Sequence, residues 1–197
     1  MESYKAEITA IAARLVVEEG LDFGTAKRRA AKQTGAGGRA TLPDNLELEE
    51  AVEEYIAIFC ADTQPAELRA LREIALHWMQ RLAQFRPHLG GAVWHGTATR
   101  KSDIYLQLFC DDGKAAEIAL IDMGVRFDVR SVPGLHGAQV DALSIHVRSE
   151  TLQENIGLHL LVYDLDDIRG ALQPDARGRS PRGDTDALRR LIDNKHP

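Results

Sequence analysis

The sequence predicts an α+β chain in which an N-terminal helical region precedes a mixed, roughly five-stranded sheet with flanking helices. Apolar residues recur at helical spacing as far as Phe85, and beyond the Gly90-Gly91 pair the period changes to two. Size and composition bound the answer: 197 residues, 44% apolar and 27% charged, suit one domain with a helical appendage and sit near globular averages.

The first helix is predicted over residues 5–19, where Ile8, Ile11, Ala12, Leu15 and Val16 share one stripe and Gly20 supplies the stop. A shorter helix over 25–33 ends before Gly35, and Gly37 and Gly38 extend that turn. Asp44 stands three residues before Glu47, a capping box ahead of Leu48, Val52, Tyr55, Ile56 and Phe59. Pro65 suits the first turn of a fourth helix, whose stripe runs from Leu68 to Phe85 until Arg86-Pro87 breaks it. Strands are expected at 92–95 and 104–110, joined by a hairpin or sharp turn. A helix over 114–123 and strands at 125–132, 140–148 and 156–164 follow. Short helices over 166–172 and 184–192 flank a segment, "PDARGRSPRGD", expected to be mobile. The expected division is a helical region at 1–88, a sheet domain at 89–172, and a linker with a short helix at 173–197.

The net charge of -6 is unevenly spread. Lys27, Arg28, Arg29, Lys32 and Arg39 lie in a stretch from Phe23 to Leu42 that holds no acid, a local positive patch on an acidic chain. No run approaches the uncharged apolar length of a membrane span, and Glu2, Lys5 and Glu7 stand where a secretory signal would be apolar, so a cytoplasmic protein without a membrane partner is expected. Cys60 and Cys110 fall inside apolar patterns as buried thiols. "TGAGGRAT" at 34–41 has glycines but not the Lys-Ser/Thr end of an ATP-phosphate loop.

The segment "GAVWHGTATRKSDIYLQLFCDD" carries most of the chemistry. Gly96 and Thr97 form a small pair, a basic turn with Arg100 and Lys101 follows, and Ser102-Asp103 opens a strand on which Asp103, Tyr105 and Gln107 share one face. Further on, "VRFDVRSV" supplies Asp128. Over about residues 91–132 these positions resemble the nucleotidyltransferase fold, whose members place Gly-Ser after one strand, an Asp-x-Asp pair on the next and a third Asp later. The resemblance implies a nucleotide held with Mg²⁺: Asp103 and Asp128 as metal ligands and catalytic carboxylates, Gly96, Thr97 and Ser102 at the phosphates, Arg100 and Lys101 neutralising them. Carboxylates on neighbouring strands hold a metal that bridges phosphate oxygens and assists in-line attack. Tyr105 occupies the family's second Asp position, and a phenol is a poor metal bridge at neutral pH. The expectation is therefore either a one-metal transferase or a catalytically degenerate nucleotide binder.

Residues 12–42 also resemble the first helices of TetR-type repressors, through Glu19, Gly20, Thr25, Ala30, Ala31 and Gly35. This implies DNA contact through the basic patch from Lys27 to Arg39. A third reading, a protein-interaction module, needs no small-molecule site. His146 and His159 are expected on one hairpin, without metal-ligand spacing.

Overall fold

The computed structural model describes residues 2–35 and 41–194; Gly37, Gly38 and Arg39, singled out above, lie outside the described residues. Contacts divide the chain into two compact units, residues 1–68 with 97–102, and residues 69–96 with 103–197.

The helical unit is built on α1 (Glu2–Glu19), α2 (Phe23–Gln33) and α3 (Asn45–Phe59), with the first turn of α4 (Gln64–Arg81). Its core takes part of the predicted stripe: Ile8, Ala12, Leu15, Leu48, Val52 and Ile56 are buried together with Ala26 and Ala30 of α2, while Ile11, Val16 and Tyr55 are only partly buried and Phe59 is exposed. Asp22 caps α2 by accepting from the Thr25 N–H at 2.9 Å, and the capping box of Asp44 and Glu47 closes in both directions on α3. Lys5 forms an ion pair with Glu47 and so ties α1 to α3. The loop 97–102 belongs to this unit: Thr99 Oγ1 donates to the Val17 carbonyl at 3.0 Å, Gln64 Nε2 donates to the Ala98 carbonyl at 2.8 Å, and the Arg100 N–H donates to Glu67.

Tyr55 donates its hydroxyl to Glu18 at 2.5 Å, and that bond pushes the phenol up to about 12. An acid whose folded pKa is raised stabilises the fold below its unfolded pKa of ~10, and loses that contribution as pH climbs through the folded value. Ultraviolet titration of the parent minus Tyr55→Phe should therefore show this phenolate only near pH 12, and Glu18→Gln should bring it back toward ~10.

The sheet unit carries six strands among its described residues: β1 (His88–Gly90), β2 (Ile104–Cys110), β3 (Asp128–Pro133), β4 (Gln139–Ser149), β5 (Glu154–Asp164) and β6 (Arg182–Gly183), in the order β3-β4-β5-β2-β1-β6. The sheet is mixed as expected, since β2 runs parallel to β5 and every other pair is antiparallel. Ile104, Leu106, Leu108, Leu158 and Leu160 are buried on one face. The far half of the opposite face is covered as well, where Phe109, Tyr163 and Ala171 pack with Leu161, Leu165 and Ile168. The near half, around Tyr105 and His159, stays open.

Two expectations are corrected here. Residues 92–95 do not form a strand: the strand is β1, just upstream, and Gly91–His95 is a short helix, α5, stopping at Gly96. Four residues are too few to show a period, so alternation and helix could not be told apart. A tertiary contact holds the helix, because buried Arg72 donates to the carbonyls of Val93 and Trp94. Nor is the segment after Pro174 an unstructured linker. Asp175 accepts from the N–H groups of Arg177 and Arg179 and pairs with the Arg179 side chain, and Arg182-Gly183 adds a sixth strand to β1. The remaining helices are α6 (Ala115–Asp122), α7 (Ile168–Ala171) and α8 (Thr185–Asp193), the last capped by Asp184.

Candidate functional site

Strand register builds the site. Asp128 on β3 stands opposite Ser144 on β4, Ser144 opposite His159 on β5, His159 beside Tyr105 on β2, and Tyr105 opposite Gly90 on β1. Directly opposed residues project to the same face, so these side chains form one row across the open half of the sheet.

Ser144 and His159 of this row are joined to each other and to Asp103, which stands just before β2. Ser144 Oγ lies 2.9 Å from His159 Nδ1, and His159 Nε2 lies 2.9 Å from Asp103 Oδ2. The second carboxylate oxygen, Oδ1, accepts from the Gly157 N–H at 3.2 Å. Because an ionised carboxylate only accepts, the hydrogen-bond network assigns the imidazole proton to Nε2, leaving Nδ1 to accept from the serine hydroxyl. Gly157 is what lets the aspartate lie against β5: a Cβ there would stand 2.7 Å from the carboxyl carbon of Asp103. Tyr105 completes the cluster, its ring centroid 4.9 Å from that of His159 and tilted by 31°. Its side is open to solvent, at 41% exposure.

The expected site residues are thus only partly brought together. Asp103 is in place at the mouth of β2. Asp128 is not beside it: their strands are three spacings apart, about 14 Å, whereas Mg²⁺ ligands sit ~2.1 Å from the ion. The two carboxylates therefore do not meet on one ion. Among the described residues, no group of three or more His, Cys, Asp or Glu side chains is arranged to hold a metal. Thr97, Arg100, Lys101 and Ser102 sit in the loop grouped with the helical unit, and the Ser102 hydroxyl is used inside that loop, accepting from the Thr99 N–H at 2.9 Å. Gly96 ends α5.

The residue that faces Asp103 is His159, and Ser144 stands behind it. Neither was singled out with Asp103 in the sequence, because 41 and 56 residues separate them from it and only the pairing of β2 with β5 makes them neighbours. The expected hairpin of the last two long strands does form, but its register sets His146 opposite Gly157 and not opposite His159. The thiols of Cys60 and Cys110 are both pushed up, chiefly by burial, as expected of unreactive cysteines.

In the helical unit two residues of the basic patch are engaged from within, one of them by an acid. Arg29 pairs with Glu19, and Lys27 donates to the Pro43 carbonyl at 2.9 Å and to Asn45 at 2.7 Å. The same unit carries an open groove of about 710 Å³ between α1 and α3, lined by Ile11, Ala51, Tyr55, Ile58 and Phe59. Ile58 and Phe59 are 63% and 68% exposed.

Compared with models of known protein families and with curated proteins, the chain matches none. Among the described residues no helix is long and apolar enough to cross a membrane.

Proposed function

We propose that the sheet unit is a catalytically degenerate nucleotide-binding domain of nucleotidyltransferase-like build, which holds a nucleobase on Tyr105 and His159 without a divalent metal. The observation that carries this reading is the exposed Tyr105 ring tilted over the His159 imidazole on the open face. Aromatic side chains that offer a π-face bind bases by stacking, at about 1–3 kcal/mol per base. The substitution pattern supports the loss of transfer chemistry: the aspartates that would share a metal are apart, the second acidic position is Tyr105, and Asp103 is already engaged by His159 and Gly157. Mg²⁺ is accordingly not assigned to the protein itself.

The test is a thermal-shift series with the four nucleoside triphosphates, each with Mg²⁺ and with EDTA. A ligand at a hundred times its Kd stabilises the native state by about 2.7 kcal/mol, which for a chain of this size raises Tm by roughly 5 °C or more. At least one nucleotide should give that rise equally under both conditions, and Tyr105→Ala should abolish it. Silence across all four, or a response seen only with Mg²⁺, would overturn the reading.

A second reading, a protein-interaction module in the helical unit, is supported by the apolar groove and the exposure of Ile58 and Phe59. The DNA reading is less well supported, since Arg29 and Lys27 already have partners within the unit.

A further inference from the structure

We propose that Ser144 is an activated nucleophile toward carboxylic or phosphonic esters, with His159 as its general base and Asp103 as the group that orients the base. The geometry meets the requirement for such a set: nucleophile and base within hydrogen-bond reach, and the base held in turn by a third group. Both bonds are 2.9 Å. The ring is inserted with Nδ1 toward the serine and Nε2 toward the aspartate, and either nitrogen serves as base provided the other carries the proton. Asp103 ensures that it does, and Asp103 is itself fixed by the Gly157 N–H. Ser144 stands on a strand flanked by buried Leu143 and Ile145, yet it faces the open side, and the His159 side chain beside it keeps 22% exposure.

The chemistry balances with an ester alone. Ser144 Oγ bonds to the carbonyl carbon while its proton passes to His159 Nδ1, and the imidazolium so formed is stabilised by the Asp103 carboxylate. Collapse breaks the bond to the leaving alkoxide, which takes the proton back from Nδ1. Water, giving its proton to the same nitrogen, then adds to the acyl carbon, and Ser144 Oγ leaves with that proton as the acid is released. With a fluorophosphonate, the new bond is P–O, the broken bond is P–F, fluoride leaves, and the proton stays on His159.

The inference does not rest on the nucleotide reading, because stacking on Tyr105 and the Ser144 relay are separable by substitution. The experiment uses the full chain and an alkyl fluorophosphonate, with labelling followed by intact mass and peptide mapping. The expected result is a single adduct on Ser144, absent in Ser144→Ala, slowed at least a hundredfold in His159→Gln and about tenfold or more in Asp103→Asn. Ser144→Cys serves as a second probe, because a cysteine there should alkylate with iodoacetamide faster than it does in Ser144→Cys with His159→Gln. No adduct on the parent chain, an adduct on another residue, or equal labelling of parent and His159→Gln would each overturn the proposal.

Discussion

Replacing Gly20 by alanine is expected to lower the stability of the helical unit by about 3–4 kcal/mol, the largest effect of any single methyl in that unit. Gly20 ends α1 with φ +70°, the left-handed conformation in which an L side chain costs about 1–2 kcal/mol. The remainder comes from contact. A Cβ at Gly20 would stand 2.2 Å from the Lys101 carbonyl oxygen and 3.0 Å from its carbon, and a backbone carbonyl in a loop tied down by Thr99 and Gln64 has little room to yield. Gly35 supplies the control. Its φ is +65°, but among the described residues nothing lies within 4 Å of a Cβ there, so Gly35→Ala should show only the backbone cost. Urea unfolding followed by far-ultraviolet circular dichroism should separate the two variants by about 2 kcal/mol. Equal midpoints would mean that the loop does not press on Gly20.

In the sheet unit, Arg72→Ala is expected to cost about 3–5 kcal/mol. Arg72 is 3% exposed, and its guanidinium donates to the Val93 carbonyl at 2.9 Å and the Trp94 carbonyl at 3.0 Å, the last turn of α5. Burial pulls its pKa down to about 10, which still leaves it fully charged at neutral pH. Truncation strips two carbonyls of their donor, one of them on fully buried Val93, at ~1–3 kcal/mol each. Arg72→Met fills most of the volume and should be nearly as damaging, because the polar loss is the same. Arg72→Lys should fall between, since an ammonium does not reproduce the planar fork. Both tryptophans, Trp78 and Trp94, belong to this unit, so their fluorescence reports its unfolding directly. A parent-like midpoint for Arg72→Met would show that packing, and not the carbonyl bonds, holds α5.

The same two residues show where reading the chain in one dimension succeeds and where it stops. Gly20 was legible as a helix stop because the signal is local: an apolar stripe, then the one residue that tolerates a left-handed turn. Arg72 was invisible, since an arginine beside the stripe of α4 reads as a solvated side chain until the carbonyls of α5 are brought over it. The candidate site divides in the same way. Asp103 and Tyr105 were found because they lie in one short segment that resembles a family motif, where strand alternation sets them on one face two residues apart. Their partners, Ser144 and His159, come from strands that follow later in the chain, and the match to Asp128 failed because sequence distance carries no information on strand order.

The sequence alone determined the α+β class, the capping box of α3, most of the core stripe of the helical unit, and the alternation that buries Ile104, Leu106 and Leu108. These follow from interactions among residues a few positions apart, where backbone geometry dictates which side chains meet. Only the tertiary structure decided that Gly91–His95 is helical, that Arg182-Gly183 completes the sheet, and that Asp103 pairs with His159 and not with Asp128. Each of these depends on which strand lies beside which, a choice set by the burial of whole faces summed over the unit, to which no short segment holds the answer.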